Sequence, residues 1–159
     1  MNSNYVSAYQ QHALHAHDMF ERNWRRGCFE RLIASIKRAP CAIRLMADLC
    51  PQQRKPLNAG HAIQKPVRVE RIVGTAGSLD FDQGFRPLRR EKRARWISVA
   101  VAMMTDPHSL PPIRVVEVGQ EYYVVDGHHR VSVAKALKRL YLDAQVVSYS
   151  CDTRGCLSG

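Results

Sequence analysis

Residues 122–135 read YYVVDGHHRVSVAK, and this stretch decides the fold. The aromatic and β-branched run at 122–125 predicts a strand, which ends at the glycine turn 126–127. Apolar side chains at helical spacing then predict a helix over 129–140. A further β-branched run predicts a strand over 144–149. A strand, a turn, a helix and a strand in this order are compatible with a parallel crossover, which is typical of α/β proteins.

The start of this helix has the chemistry of an anion site. The first N–H groups of a helix have no partner inside it, and they lie at the positive end of its dipole. Gly127 lets the backbone approach a ligand closely, and His128, His129 and Arg130 add donors at the same point. We therefore predict a phosphate site here. The alternative is an ordinary helix start, with Asp126 as its cap and solvated histidines.

The preceding segments extend the same unit. A β-branched strand is predicted over 113–118, and it forms a hairpin with the strand at 122–125. Further predicted elements are a strand over 67–72, a loop with three glycines over 74–85 and a helix over 87–104. Together they predict an α/β (α+β) fold over residues 67–149, a small mixed sheet with helices.

Residues 1–50 are predicted to form a basic helical N-terminal arm. Periodicity predicts a first helix that breaks at Gly27, a second helix that ends before Pro40, and a third short helix over 42–49. Residues 51–66 hold three prolines and one glycine, a composition that predicts a linker. Residues 150–159 are predicted to be a flexible tail.

The charge of the chain points to anionic partners. Its 159 residues include 24 Lys+Arg and 14 Asp+Glu, a formal net charge of +10, and this balance favours nucleic acid or nucleotides. The whole excess lies in the first hundred residues. We predict that DNA binds a basic surface formed by the run 86–96 and the arm, through Arg89, Arg90, Lys92, Arg93, Arg25 and Arg26. The alternative is a solvated helix face.

The sequence carries no mark of a membrane or secreted protein. No run approaches the roughly 18 apolar residues of a membrane span, and the N-terminus lacks the pattern of a secretory signal. The five cysteines form no C-x-x-C pair and are predicted to be reduced thiols. We therefore expect a cytoplasmic protein that does not bind a membrane.

Three aspartates are candidate metal ligands. Asp126 lies where it could hold Mg²⁺ on bound phosphates. Asp80 and Asp82 lie on one side of an extended chain, with Phe81 on the other, so they could face the turn as metal ligands or as a general base. In the alternative interpretation, the phenylalanines of this loop anchor it in the core and the aspartates cap turns. Arg86 is predicted to be a further phosphate contact.

These motifs together resemble the ParB/sulfiredoxin superfamily, and most closely a bacterial group of ParB-like proteins. The matching segments are IVGTAGSLDFDQGFRP (72–87), Trp96, LPPI (110–113) and DGHHRVSVA (126–134). The resemblance covers residues 67–149. It implies a ParB/sulfiredoxin-like fold that binds an ATP or CTP-type nucleotide, with Gly127, His129 and Arg130 at the phosphates. Because His128 stands where sulfiredoxins carry their reactive cysteine, the resemblance does not imply a sulfiredoxin-type reductase.

The leading hypothesis is a nucleotide-binding protein that acts as a slow NTPase switch associated with DNA. Its candidate catalytic residues are Asp126, His128 and Arg130, because charge developing on a transferred phosphoryl group needs a stabiliser nearby. Three alternatives stay open: a metal-dependent DNA nuclease, a small-molecule kinase of the serine-kinase type and a non-catalytic adaptor. The N-terminal helices are predicted to bind a protein partner or to form a homodimer.

Overall fold

The computed structural model describes residues 3–38, 42–48, 54–56 and 61–151. These ranges hold three α-helices and seven strands, joined in places by 3-10 turns. The elements are α1 (Ser3–Lys37), β1 (Arg44–Leu45), β2 (Arg54–Pro56), β3 (Ile63–Arg68), β4 (Ile72–Thr75), α2 (Arg93–Thr105), β5 (Ile113–Val118), β6 (Glu121–Asp126), α3 (His128–Ala136) and β7 (Tyr141–Cys151). The predicted α/β class, with helix ahead of a mixed sheet, is confirmed.

All seven strands belong to one mixed sheet. Its order is β1-β4-β6-β5-β7-β2, and β3 also pairs with β7. β5 and β6 form the predicted antiparallel hairpin, whereas β1–β4, β4–β6 and β5–β7 are parallel pairs. β7 pairs antiparallel with β3 along its first half and with β2 at its end. The parallel pair β4–β6 brings two strand ends to one edge of the sheet.

The predicted parallel crossover from β6 to β7 is wrong. β6 is antiparallel to β5, and β5 is parallel to β7, so β6 and β7 run in opposite directions on either side of β5. α3 connects them. The order of strand, turn, helix and strand does not determine the direction of β7, because that direction depends on its pairing with β5.

The N-terminal arm is one helix where the sequence predicted two. α1 continues through Gly27 without interruption. Gly27 is buried, and a Cβ atom there would lie 3.4 Å from Arg86 Cβ and 3.4 Å from Asp82 Oδ2. The glycine therefore marks the close approach of α1 to the loop at 82–86, not a helix end.

Two segments between α1 and β4 also differ from their predictions. The third helix predicted over 42–49 is instead β1, which pairs with β4, and a 3-10 turn at Met46–Asp48. Inside the predicted linker 51–66, β2 and the first part of β3 pair with β7. Both segments are held by strands that are distant in sequence, so their own composition does not reveal the pairing.

Other element bounds shift by a few residues. The strand predicted over 67–72 is divided between β3 and β4 by a 3-10 turn at Val69–Arg71. α2 begins only at Arg93, after a 3-10 turn at Arg90–Lys92, and α3 ends at Ala136. β7 extends to Cys151 and takes in the start of the predicted tail, while residues 152–159 lie outside the described residues.

Side chains of α3 belong to two hydrophobic clusters. Val131 packs with buried residues of the sheet and of the 81–85 loop, whereas Val133 packs with residues of α1 and α2. Trp96 of α2 donates a hydrogen bond from Nε1 to Ser132 Oγ over 2.8 Å, and its ring meets Phe20 of α1 edge-on at 5.6 Å. α3 is thus packed on both sides, and its first residues are held at the edge of the sheet.

Candidate functional site

The ends of β4 and β6 define the candidate site. These strands are parallel neighbours, so their last residues, Thr75 and Asp126, lie at the same edge of the sheet. α3 begins there, directly after Gly127. The carboxyl ends of strands in open α/β sheets are common ligand sites. The predicted turn at 126–130 therefore occupies a favourable position in the fold.

Gly127 shapes the turn through its backbone. Its φ of 97° lies in the left-handed region, which only glycine adopts at low cost. A Cβ atom there would lie 2.6 Å from Ile113 Cγ2. Gly127 itself is the residue before α3, and no side-chain hydrogen bond caps the helix. The alternative in which Asp126 caps α3 is therefore wrong.

Arg130 makes its contacts within the protein. Its Nη2 donates to Asp126 Oδ2 over 2.8 Å, and its Nη1 donates to the carbonyl oxygen of Pro111. Only 12% of the side chain is exposed. Arg130 thus ties the start of α3 to the segment ahead of β5. Two of its nitrogens are engaged in this way, so it does not present an open guanidinium to a phosphate as predicted.

His128 is hydrogen-bonded to Thr75, with 2.7 Å between Nε2 and Oγ1. The Thr75 oxygen also accepts hydrogen bonds from the N–H groups of Gly77 and Ser78, which use both of its lone pairs. Its hydroxyl proton therefore goes to His128 Nε2, which is nearer than the Val124 carbonyl oxygen at 3.3 Å. The imidazole then carries its proton on Nδ1. Burial lowers the pKa of His128, so the ring is neutral near neutral pH.

His129 is neutral for a similar reason. Burial lowers its pKa to about 4, with a further decrease caused by Arg95 and Lys92. The ring meets Phe81 edge-on at 5.2 Å. Its Nδ1 is buried and makes no hydrogen bond to the described residues. His129 therefore adds no positive charge to the turn near neutral pH.

The positive charge beside the turn comes from the start of α2. Lys92 and Arg95 both act electrostatically on His129. Lys92 Nζ lies 3.9 Å from Asp80 Oδ2, and Arg89 Nε lies 3.3 Å from Asp80 Oδ1. Asp80 in turn acts on both histidines. The fold thus places charges of the basic run 86–96 where they act on the turn at 126–130, although the two are separated in sequence.

Asp82 and Arg86 stabilise the loop and its contact with α1. Asp82 is 2% exposed and accepts hydrogen bonds from the N–H groups of Gly84 and Arg86, at 2.9 and 2.8 Å. Arg86 Nη1 lies 2.5 Å from Glu30 Oε2 and 3.5 Å from Asp82 Oδ2. For Asp82 the turn-capping interpretation is confirmed. Arg86, predicted as a phosphate contact, is paired with α1 instead.

Most residues of the predicted DNA surface are ion-paired within the chain. Arg90 and Arg93 both pair with Glu21 of α1, with 2.8 and 3.6 Å between the charged atoms. Of the six predicted contacts, those with a carboxylate partner are Arg89, Arg90, Lys92, Arg93 and Arg26. Arg25 is exposed. Arg90 and Arg93 therefore attach α1 to the segment that begins α2.

The predicted aspartates do not assemble into a metal cluster. Over the ranges that the structure describes, no group of three or more His, Cys, Asp or Glu side chains is placed to hold a metal ion. Asp82 is used by backbone N–H groups. Asp80 and Asp126 both act on the pKa of His128. Of the three predicted metal ligands, these two are therefore the ones near the turn.

Comparisons with known proteins give no identification. No family model matches the chain, and no curated protein matches it. Among the described helices, none combines the length and the apolar character needed to span a membrane. The function is therefore argued from the geometry of the site.

Sequence reasoning missed Thr75 and the role of Lys92 at the turn. The signal for Thr75 was a hydroxyl residue at a strand end followed by the loop residues Ala76–Ser78, because such a hydroxyl accepts hydrogen bonds from the next backbone N–H groups. No local signal connects Lys92 with His129. Their proximity results from the packing of α2 on α3.

We predict that His129 makes stability depend on pH. Its pKa is about 4 in the folded protein, against about 6.5 for an unperturbed histidine, so the unfolded chain binds more protons between these values. The stability contributed by neutral His129 is therefore complete above about pH 6.5 and falls towards pH 4, by up to about 1.4 kcal/mol per pH unit. Urea unfolding across this range is expected to show a shallower pH dependence for His129→Gln than for the unmodified protein.

The matched control for this prediction is His15→Gln. This substitution removes an imidazole that is exposed on α1. Equal slopes for His129→Gln and the unmodified protein would show that the imidazole of His129 is not protected from protonation by burial.

Proposed function

We propose that this chain binds a nucleoside triphosphate of the ATP or CTP type, with Mg²⁺, at the start of α3, and that it acts as a slow NTPase switch associated with DNA. One observation carries the proposal: the left-handed turn at Gly127 and the first N–H groups of α3 lie at the ends of the parallel strands β4 and β6, where Lys92 and Arg95 act electrostatically on His129. A cytoplasmic location belongs to the same proposal.

The start of α3 supplies the phosphate contacts. Its first N–H groups lie at the positive end of the helix dipole, which favours bound phosphate. Gly127 has no side chain to block the approach. His128 stacks on Phe81 with ring centroids 6.0 Å apart, so the turn rests on an apolar surface. Electrostatic attraction is stronger beside such a surface than in open water, which increases the effect of Lys92 and Arg95.

Asp80 and Asp126 suit a Mg²⁺ ion brought in with the nucleotide. Both act on His128, and both are partly exposed, by 30% and 58%. Mg²⁺ is commonly held by one or two carboxylates together with substrate phosphates and water. Arg130 would orient Asp126 through their 2.8 Å ion pair. This pair limits how freely Arg130 can stabilise a transferred phosphoryl group, which is consistent with slow turnover.

The nuclease and the serine-type kinase have less support. Both need a carboxylate that is free to act as a metal ligand or a general base. Asp82, one of the carboxylates predicted for these roles, is buried and bound to backbone N–H groups, so it is not free for either of them.

A partner-binding role for α1 has independent support, which keeps the adaptor hypothesis as a second candidate. Phe29, Leu32 and Ile36 are 63%, 59% and 75% exposed. Their spacing of three and then four residues puts them on one face of the helix. We propose that this face binds a protein partner or a second copy of the chain.

Nucleotide binding is expected to raise the Tm. At a ligand concentration 100 times the Kd, linkage adds about 2.7 kcal/mol, equivalent to about 5–10 °C for a chain of this size. Thermal unfolding with ATP, CTP and GTP, each with Mg²⁺, measures this shift, and release of phosphate measures turnover. The double variant Lys92→Gln/Arg95→Gln is expected to lose most of the shift, because it removes both cations beside the turn.

The control for charge is Arg31→Gln/Lys37→Gln. Both residues are exposed on α1, and the double variant changes the net charge by the same amount. It should keep the full shift. The proposal fails if none of the three nucleotides raises the Tm, or if the two double variants lose the shift equally.

A further inference from the structure

A cavity lies at the end of α3 opposite to the turn at Gly127. Its volume is about 350 Å³, within the range of roughly 300–1,000 Å³ that is typical of small-molecule sites. It is lined by residues of the Val69–Arg71 turn, the end of α3 and the start of β7. Because α3 has 9 residues, this cavity lies about 13 Å along the helix from the turn at Gly127.

The turn after α3 contributes two basic residues, Lys138 and Arg139, to the lining of this cavity. The Arg139 N–H donates to the Ala134 carbonyl oxygen over 2.9 Å, and the Lys138 N–H donates to that of Lys135 over 3.2 Å, a hydrogen-bond pattern typical of a left-handed helix end. Lys138 accordingly has a φ of 54°, in the region where glycine is least strained. A lysine therefore occupies a position that favours glycine on conformational grounds.

The other side of the cavity is formed by the Val69–Arg71 turn, which is fixed by a hydrogen bond and an ion pair. The Val69 N–H donates to the Leu140 carbonyl oxygen over 3.0 Å, which attaches the Val69–Arg71 turn to the start of β7. Arg68 Nη1 lies 2.8 Å from Glu70 Oε1, and its guanidinium lies 5.9 Å from the centre of the Tyr141 ring. The one carboxylate of the lining is thus already used by Arg68.

The cavity carries positive charge without matching carboxylates. Its lining includes four basic side chains and one acidic one, a net charge of +3. Among the ion pairs of the described residues, none includes Lys135, Lys138 or Arg139. This differs from the run 86–93, where each arginine and lysine has a carboxylate partner. Like charges gathered in a cleft attract and concentrate anions.

We propose that this cavity is a second anion site, which binds a phosphate group through Lys138 and Arg139. An ammonium and a guanidinium form strong charge-assisted hydrogen bonds with phosphate oxygens. Arg139 Nη2 donates to the Met103 carbonyl oxygen over 3.1 Å, so the other N–H groups of this guanidinium are the ones that would bind the phosphate. Leu140 and Tyr141 supply the apolar part of the lining. The phosphate belongs either to a phosphorylated small molecule or to a nucleic-acid backbone. The site is independent of the nucleotide site proposed at the other end of α3.

Amide chemical shifts measured by NMR test this site separately from the turn at Gly127. The probes are inorganic pyrophosphate and a short oligothymidylate, titrated into the full chain. We expect the amides of residues 138–141 to shift with pyrophosphate if the source is a small molecule, or only with the oligonucleotide if it is a backbone. Lys138→Gly is expected to weaken this binding about tenfold, the loss of one charged hydrogen bond.

The choice of glycine keeps the test interpretable. Because glycine suits the left-handed conformation, Lys138→Gly should have an equal or higher Tm than the unmodified protein. Amide shifts at 127–130 should be the same in both, and Lys37→Gln serves as the charge control. The proposal is overturned if neither probe shifts the amides of residues 138–141, or if Lys138→Gly binds as tightly as the control.

Discussion

Gly127→Ala is expected to lower the free energy of unfolding by about 2–5 kcal/mol. The left-handed conformation at φ 97° costs an alanine about 1–2 kcal/mol. The added Cβ would also lie 2.6 Å from Ile113 Cγ2 and 3.0 Å from Arg130 Nη2, and such overpacking typically costs about 1–3 kcal/mol more. Urea unfolding measures the loss, and weaker nucleotide binding should accompany it, because the same clash displaces the start of α3.

Two other glycines serve as controls that separate backbone strain from the steric clash of the added Cβ atom. Gly119 has a φ of 63° but nothing within 4 Å of its would-be Cβ, so Gly119→Ala should cost only the strain, about 1–2 kcal/mol. Gly77 has open space and no positive φ, so Gly77→Ala should change stability by less than about 0.5 kcal/mol. A loss for Gly127→Ala no larger than that for Gly119→Ala would disprove the close contact with Ile113.

Trp96→Ala is expected to cost about 3–5 kcal/mol, the usual range for removing a buried aromatic side chain. Trp96 is 0% exposed. It joins three helices, since its ring packs against Phe20 of α1 and its Nε1 bonds to Ser132 of α3. Its loss should therefore loosen α1 and α3 together. Hydrogen exchange of both helices, with urea unfolding, measures this effect.

A double-mutant cycle isolates the hydrogen bond from the packing. Trp96→Phe keeps most of the ring but leaves the buried Ser132 hydroxyl without its donor, and Ser132→Ala removes that hydroxyl. The coupling between the two substitutions is expected to be about 0.5–1.5 kcal/mol. Strictly additive losses would mean that the hydrogen bond contributes nothing, and that packing alone fixes Trp96.

The sequence predicted the elements whose side chains follow a local period. The hairpin of β5 and β6 and the start of α3 are of this kind, since apolar spacing and Gly127 mark them directly. The sequence predicts a linker over 51–66 because of its three prolines and one glycine, and this range includes Pro56 of β2 and Pro66 of β3. Proline is tolerated in edge strands, and among the described strands both of these pair with β7 alone. Their composition therefore resembles that of a connecting segment.

The sequence predicts the position of the candidate site, but it does not predict which of its side chains are charged. Gly127 and the histidines marked the position of the turn. Their protonation follows from burial and from Lys92, Arg95 and Thr75, which are distant in sequence. Arg130 looked available for a ligand because its bonds to Asp126 and Pro111 depend on folding. A local motif thus locates the turn. The ionisation of its side chains, and whether they are free to bind a ligand, depend on tertiary contacts.

The ion pairs between α1 and the segment 80–95 have a thermodynamic consequence. The same segment holds Glu21 and Glu30 of α1 through Arg90 and Arg86, and it places Lys92 beside the start of α3. The docking of α1 and the electrostatic potential at the turn therefore depend on different residues of one segment. A partner that shifts α1 would alter anion affinity at the turn, and by linkage the anion would alter the affinity for that partner by the same factor.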